Sequence, residues 1–183
     1  MTTACNICQK PFAPQRMGQV VCGYACAKKV PAMARKTAAK AIRARKEAVK
    51  SRSEWLKEAQ QAFNAWIRAR DAGEGCVSCG YHWHGNFAGN LGMRKANAGH
   101  YLSTAARPEL RFHEHNCNLQ CEQCNTYLSG NLIPYRAELI RRIGLPAVES
   151  LEGPHVSLKL TVDDLKAIKA DYRARLKAMQ QTA

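Results

Sequence analysis

The sequence has no apolar run long enough to cross a membrane. Hydrophobic residues make up 46% of the 183, but alanine supplies much of that, and no stretch approaches the roughly 18 residues of a span. A membrane partner is not expected. Acidic residues are also scarce: 14 Asp and Glu stand against 28 Lys and Arg, a formal net charge of +14. That excess goes beyond what solubility requires and predicts a polyanionic partner. The length allows one compact domain or two small ones and excludes a large multidomain enzyme. The first residues, MTTACNICQKPF, lack a charged start followed by an apolar stretch. No secretory signal is read there, and a cytoplasmic, reducing compartment is expected.

Disulfides are not expected in such a compartment, so the nine cysteines need another explanation. Eight form close pairs: Cys5/Cys8, Cys22/Cys26, Cys76/Cys79 and Cys121/Cys124. A Cys-x2-Cys turn folds around a metal and supplies two adjacent tetrahedral corners, so the pairs combine into two structural zinc sites. The first spans residues 1–30, a segment too small to bury a core of its own, and the metal should provide most of its stability. The ninth, Cys117, reads as a buried thiol behaving as a small hydrophobe.

Between the first array and the middle of the chain lies a basic arm. Lys28, Lys29, Arg35, Lys36, Lys40, Arg43, Arg45, Lys46, Lys50 and Arg52 are accompanied by one acid, Glu47. Alanine-rich and free of Gly and Pro after Pro31, the stretch should be helical, with a thin apolar stripe of Met33, Ile42 and Val49. A solvated helix usually mixes its charges, so ten to one points to phosphate contact. Ser51 to Glu54 has capping-box spacing and predicts a new helix start. Leu56, Ala59, Phe63, Trp66 and Ile67 then recur at helical steps and predict a buried face. Residues 76–130 are rich in turn residues, with short strands expected at Ala98–Leu102 and Leu110–His113 and a helix after Cys124. Ile133–Ile143 should be helical, with Pro134 in its first turn and Gly144 past its end. A last helix, capped near Thr161, carries Leu165, Ile168, Tyr172, Leu176 and Met179 on one face, as intramolecular core or as a dimer contact. The expected segments are a zinc finger (1–30), a basic arm and core helix (31–72), a central core (73–144) and a helical end (145–183).

The central core carries the chemistry. Asn97-Ala-Gly-His100 and His115-Asn-Cys-Asn-Leu-Gln-Cys121-Glu-Gln-Cys124-Asn125 lie between and beside the two knuckles of the second array. This resembles the HNH endonucleases, whose ββα-metal core is often stapled by a four-cysteine zinc. The resemblance implies an α+β, treble-clef-like fold with His100 as the catalytic histidine, Asn116 as the middle asparagine and Asn125 as a metal ligand. Beyond the motif, WLKEAQQAFNAWIRARD, NAGHYLSTAARPELRF and CNTYLSGNLIPYRAELIRRIG resemble the NinG (Rap) recombination endonucleases of lambdoid phages. Over nearly the whole chain, that likeness implies a structure-specific nuclease acting on branched DNA such as Holliday junctions and displacement loops, in a bacterial host cell. The family commonly has Asp where Asn97 stands. Asn97 could ligate Mg(II) weakly, another acid such as Glu122 could contribute, or position 97 could be a turn residue.

Neutral imidazole suits His100 to take a proton from water. A hard cation, Mg(II) or Mn(II), would stabilise charge on the phosphate and leaving oxygen. Asn116 would either accept the other imidazole N–H or steady the loop. By analogy the products carry 5′-phosphate and 3′-hydroxyl ends. His82 and His84, and His113 and His115, are secondary candidates, each pair on one strand face, and read more readily as solvated. The alternative is a non-catalytic zinc protein that binds nucleic acid, with an RNA-binding zinc module as a weaker third reading. Paired incisions would need two active sites, which a homodimer would supply.

Overall fold

The computed structural model describes residues 2–83 and 95–182, and the chain divides at Lys50 into two units. The expected 31–72 segment spans that division. In the first unit, strand β1 (Thr3–Ala4) pairs antiparallel with β2 (Pro11–Phe12). Cys5 and Cys8 occupy the turn between them. A short helix α1 (Tyr24–Ala27) carries Cys26, and α2 (Lys29–Ala48) follows. Val30, Met33, Ile42 and Val49 are exposed. The arm is thus a helix by propensity, since alanine, lysine and arginine favour it and its thin stripe buries little.

The second unit begins with helix α3 (Arg52–Arg70). Ser51 Oγ accepts from the Glu54 amide at 3.3 Å and the Glu54 carboxylate accepts from the Ser51 amide at 2.8 Å. This is the expected capping box. Helix α6 (Val162–Thr182) is capped in the same way, with Thr161 Oγ1 accepting from the Asp164 amide. The two helices pack along their length. Leu165 joins Trp55 and Ala59, while the Tyr172 ring lies 4.9 Å from Phe63 and 5.2 Å from Trp66. The stripe of α6 is therefore intramolecular core.

A two-stranded sheet forms the centre of this unit. Strand β3 (Ala96–His100) pairs antiparallel with β4 (Cys117–Cys121) in an unbroken ladder that sets His100 opposite Cys117 and Asn97 opposite Gln120. One face meets α3 through Ala98 and Cys117. Helix α4 (Leu132–Ile143) covers the other: the buried Tyr135 hydroxyl donates to Gly99 O at 3.0 Å and accepts from Asn118 Nδ2 at 3.1 Å. Helix α5 (Leu145–Glu152) adds Val148 and Leu151 to the core of Tyr135, Leu139, Val77 and Leu110.

Three expectations are corrected. The first strand starts two residues early and ends at His100. Leu110–His113 is not a strand, because Pro108 opens a 3-10 turn that directs Leu110 into the core. Its place is taken by Cys117–Cys121. The helix expected after Cys124 is one wide turn, Gln123–Tyr127, closed where Ser129, Gly130 and Asn131 adopt positive φ. The result is a mixed α+β chain with two small sheets among the described residues.

Candidate active site and metal centres

Each four-cysteine set converges as its spacing requires. Cys5, Cys8, Cys22 and Cys26 form one group, and Cys76, Cys79, Cys121 and Cys124 the other, with the sulfurs of each within 4.8 Å of one another. Individual separations of 3.6, 3.6 and 3.8 Å match the edge of a ZnS4 tetrahedron, about 3.8 Å for Zn–S bonds of about 2.3 Å. Both groups can hold zinc. Backbone amides already aim at the sulfurs: Cys22 N lies 3.3 Å from Cys5 Sγ, and Cys121 N lies 3.3 Å from Cys76 Sγ. Burial raises the Cys121 thiol, but the Cys124 amide and neighbouring thiols outweigh it and leave the group below its ordinary value, ready to ligate as thiolate.

His100 ends β3, and its side chain lines a cavity of about 610 Å3 together with Ala98, Thr104, Asn125 and Ser129. Nε2 lies 2.9 Å from Arg111 O. A carbonyl only accepts, so Nε2 carries the proton and Nδ1 keeps its lone pair. The nearest partner of Nδ1 is Cys117 Sγ at 3.9 Å. Burial pushes the imidazole below its ordinary value, the bond to the Arg111 carbonyl pulls it up, and the Arg111 charge lowers it again. The net effect keeps the ring neutral. Cys117 is fully buried, and burial raises its thiol, so it is an uncharged neighbour.

Asn116 is fully buried and does not touch the imidazole. Its Oδ1 accepts from Leu102 N at 2.9 Å, and Nδ2 donates to Leu102 O at 3.0 Å and Leu110 O at 3.2 Å. Of the two roles expected for it, the structure gives it the loop: it ties the exit of β3 to the turn that presents the Arg111 carbonyl.

Asn125 approaches β3 at Gly99. A Cβ at position 99 would collide with Gln120 Oε1 and would sit 3.0 Å from Asn125 Oδ1. Glycine therefore lets two amide oxygens come close to the strand. Gln120 Nε2 donates to Ser78 Oγ and to Gly130 O, which fixes the amide orientation and leaves Oε1 buried without a partner. Asn97 belongs to the ladder opposite Gln120 and does not line the cavity. Glu122 lies 3.5 Å from Lys95 Nζ. His113 and His115 are exposed on a turn rather than a strand, with rings 5.7 Å apart. His82 stacks on Gly75, and His84 lies outside the described residues.

On the arm, Lys28, Lys29, Lys36, Lys40, Arg43, Arg45 and Lys46 are exposed and Lys50 is half-buried. The side chain of Arg35 lies outside the described residues. Arg52 opens α3, and its Nε donates to Leu160 O.

Sequence reasoning missed Gln120, Asn118 and Asp71. Asp71 closes α3, binds Arg70 and accepts from Leu119 N at 2.9 Å. Alternating polar residues on β4 normally signal a solvated face, and only Tyr135 over Asn118 and the Ser78 and Gly130 contacts of Gln120 show otherwise.

A family profile described as Bacteriophage Lambda NinG protein matches residues 1–182. Protein ninG of Escherichia phage lambda is 47% identical over 128 residues, covering 70% of this chain and 58% of that protein. Protein ninG of Salmonella phage P22 is 46% identical over 128 residues, with 70% and 59% covered, and that of Escherichia phage 933W is 47% identical over the same length, again with 70% and 59% covered. The chain spans somewhat under three fifths of these relatives. No solved structure matches it.

Proposed function

The chain belongs to the bacteriophage lambda NinG protein family, and from that premise we propose that it is an HNH-type, metal-dependent endonuclease that hydrolyses phosphodiesters in branched DNA. The observation that carries the reading is His100: a neutral imidazole anchored through Nε2 on a backbone carbonyl, with Nδ1 unprotonated, in the cavity that Asn125 also lines. In the reaction Nδ1 takes a proton from the attacking water, and the Arg111 carbonyl steadies the imidazolium that results. Asn116 positions that carbonyl. Leu102, Ser103 and Thr104 wall the space in which the scissile phosphate sits.

Asn125 Oδ1, which lines the cavity, is a hard oxygen donor, which suits Mg(II) or Mn(II). When bound, the ion neutralises charge that develops on the phosphate and the leaving 3′ oxygen. No carboxylate lines this cavity among the described residues. The substrate phosphate must therefore supply the negative charge that holds the cation, and binding of metal and DNA should be strongly synergistic. The preference for branched DNA rests on the family likeness alone.

The same lack of a carboxylate favours one rival, a zinc protein that binds junctions without cutting them. Turnover separates the two. Purified protein should nick a labelled four-way junction in Mg(II) or Mn(II). Retarded migration without nicking in both metals would give the case to the rival.

A further inference from the structure

Arginines in the second unit are mostly matched to carboxylates. Arg70 meets Asp71 at 2.5 Å, Arg107 meets Glu109 at 2.6 Å, Arg136 meets Glu152 at 2.7 Å and Arg175 meets Glu114 at 2.6 Å. Arg111 departs from this pattern. Its Nη1 donates to Gln60 Oε1 at 3.3 Å and its Nη2 to Thr104 O at 3.4 Å, two long bonds to neutral acceptors. Neither is near the optimum for an N–H···O bond, and neither neutralises the charge. Gln60 is itself held by Asn64, so its carbamoyl oxygen is oriented toward the guanidinium.

The place of this cation is well defined. Its own carbonyl anchors His100, and Thr104, on which Nη2 rests, lines the cavity with His100 and Asn125. The guanidinium is close enough to His100 to act on its charge. A half-buried guanidinium held loosely by neutral groups beside a proton acceptor suits an anion that arrives with the substrate. A planar fork also fits two phosphate oxygens at once.

Resting on the nuclease reading for its chemistry, we propose that the Arg111 side chain grips the phosphate that His100 attacks. The Gln60 and Thr104 bonds then act as a rest for the empty state, exchanged for phosphate oxygens when DNA binds. One residue thereby serves the site twice, through its main chain on the base and through its side chain on the substrate.

The test uses the full zinc-loaded chain and the substitutions Arg111→Gln and Arg111→Lys. Binding to a four-way junction is measured in Ca(II) against salt. Arg111→Gln should reduce the slope of log K on log salt by about 1, as expected for one lost phosphate contact, and Arg111→Lys should leave it unchanged. In Mg(II), kcat/KM should fall about 100-fold for Arg111→Gln, with partial rescue by lysine, which keeps the charge and loses the fork. Native mass spectrometry showing two zinc ions in both variants certifies the fold. An unchanged salt slope for Arg111→Gln with zinc intact overturns the phosphate grip. Should the parent protein never cut, the endonuclease reading fails while the salt slope still decides whether Arg111 holds phosphate.

Discussion

The two units use the same ligands for opposite purposes. Residues 1–50 hold eleven of the 28 Lys and Arg and one of the 14 acids, so they carry +10, whereas residues 51–183 carry +4. In the first unit the array is flanked by two-residue strands, a four-residue helix and an arm whose apolar residues are exposed. In the second, Cys76, Cys121 and Cys124 are buried beside Tyr81 and Trp83, and Val77 N bonds to Leu119 O across the knuckle. A metal in the first array would stand in for a core. In the second it would pin a sheet that α3 and α4 already cover. The comparison teaches that charge and candidate chemistry are divided along the chain: on the proposed function, the first unit would attract DNA and the second would act on it.

The sharpest way to break that division is His100→Ala. Cleavage should fall by about 10²- to 10⁴-fold while junction affinity, which the proposed function assigns largely to the arm, should change by well under tenfold. A variant that cuts at the parental rate would sink the assignment of the base. Metal content tests the contrast between the arrays. Native mass spectrometry should find two zinc ions per chain, and Cys5→Ser should lose one while the second unit still melts cooperatively. Cys121→Ser should lose the other, and with it the sheet and all cleavage. If both substitutions leave the same residual structure, the arrays are not different in kind.

Neutralising Lys36, Lys40, Arg43 and Lys46 together should lower the salt slope on duplex DNA by roughly 3 to 4, at about 0.9 per phosphate contact. No change would mean that the first unit binds something else. A smaller effect is expected at Asn97, which the unbroken ladder keeps out of the cavity. Asn97→Asp should shift the Mg(II) concentration for half-maximal cleavage by less than about twofold, and a marked fall would make position 97 a ligand after all. The smallest effect concerns pH. His100 is held below its ordinary 6.5, so as pH falls through that value the unfolded chain takes up a proton that the folded chain refuses. Stability from this residue is complete above 6.5 and declines below it. Denaturant melts of His100→Gln should lack that acidic decline.

Much of this was legible beforehand because it is local. The capping box at Ser51, the apolar face of α3, the stripe of α6 and the pairing of eight cysteines each follow from short-range spacing. The first strand is close to its expected place, while the second lies at Cys117–Cys121 instead of Leu110–His113, for the converse reason. CNLQC contains no β-branched or aromatic residue, so propensity gives no sign of a strand, and only its partners on both faces make it one. Asn118 and Gln120 escaped notice because their burial depends on residues of other segments, Tyr135 for the first and Ser78 and Gly130 for the second. Nothing in the local pattern marks Arg111, and its place beside His100 emerges only when the chain folds back from position 111 to position 100.

The burial of β4 on both faces has a further implication for accuracy. A strand whose side chains alternate between two packed layers exchanges those layers if it slides by one residue. Such a slide would take Asn118 and Gln120 from Tyr135, Ser78 and Gly130 and turn their amides onto the apolar layer of Phe63 and Ile67, which already opposes it. Metal–thiolate bonds at Cys121 and Cys124 would forbid it, because a displaced sulfur cannot reach the ion. An ion held in the second array would thus work as an indexing pin. It would secure the alignment of His100 with Cys117 four residues away, and the precision of the site would draw on coordination chemistry at the far end of the strand.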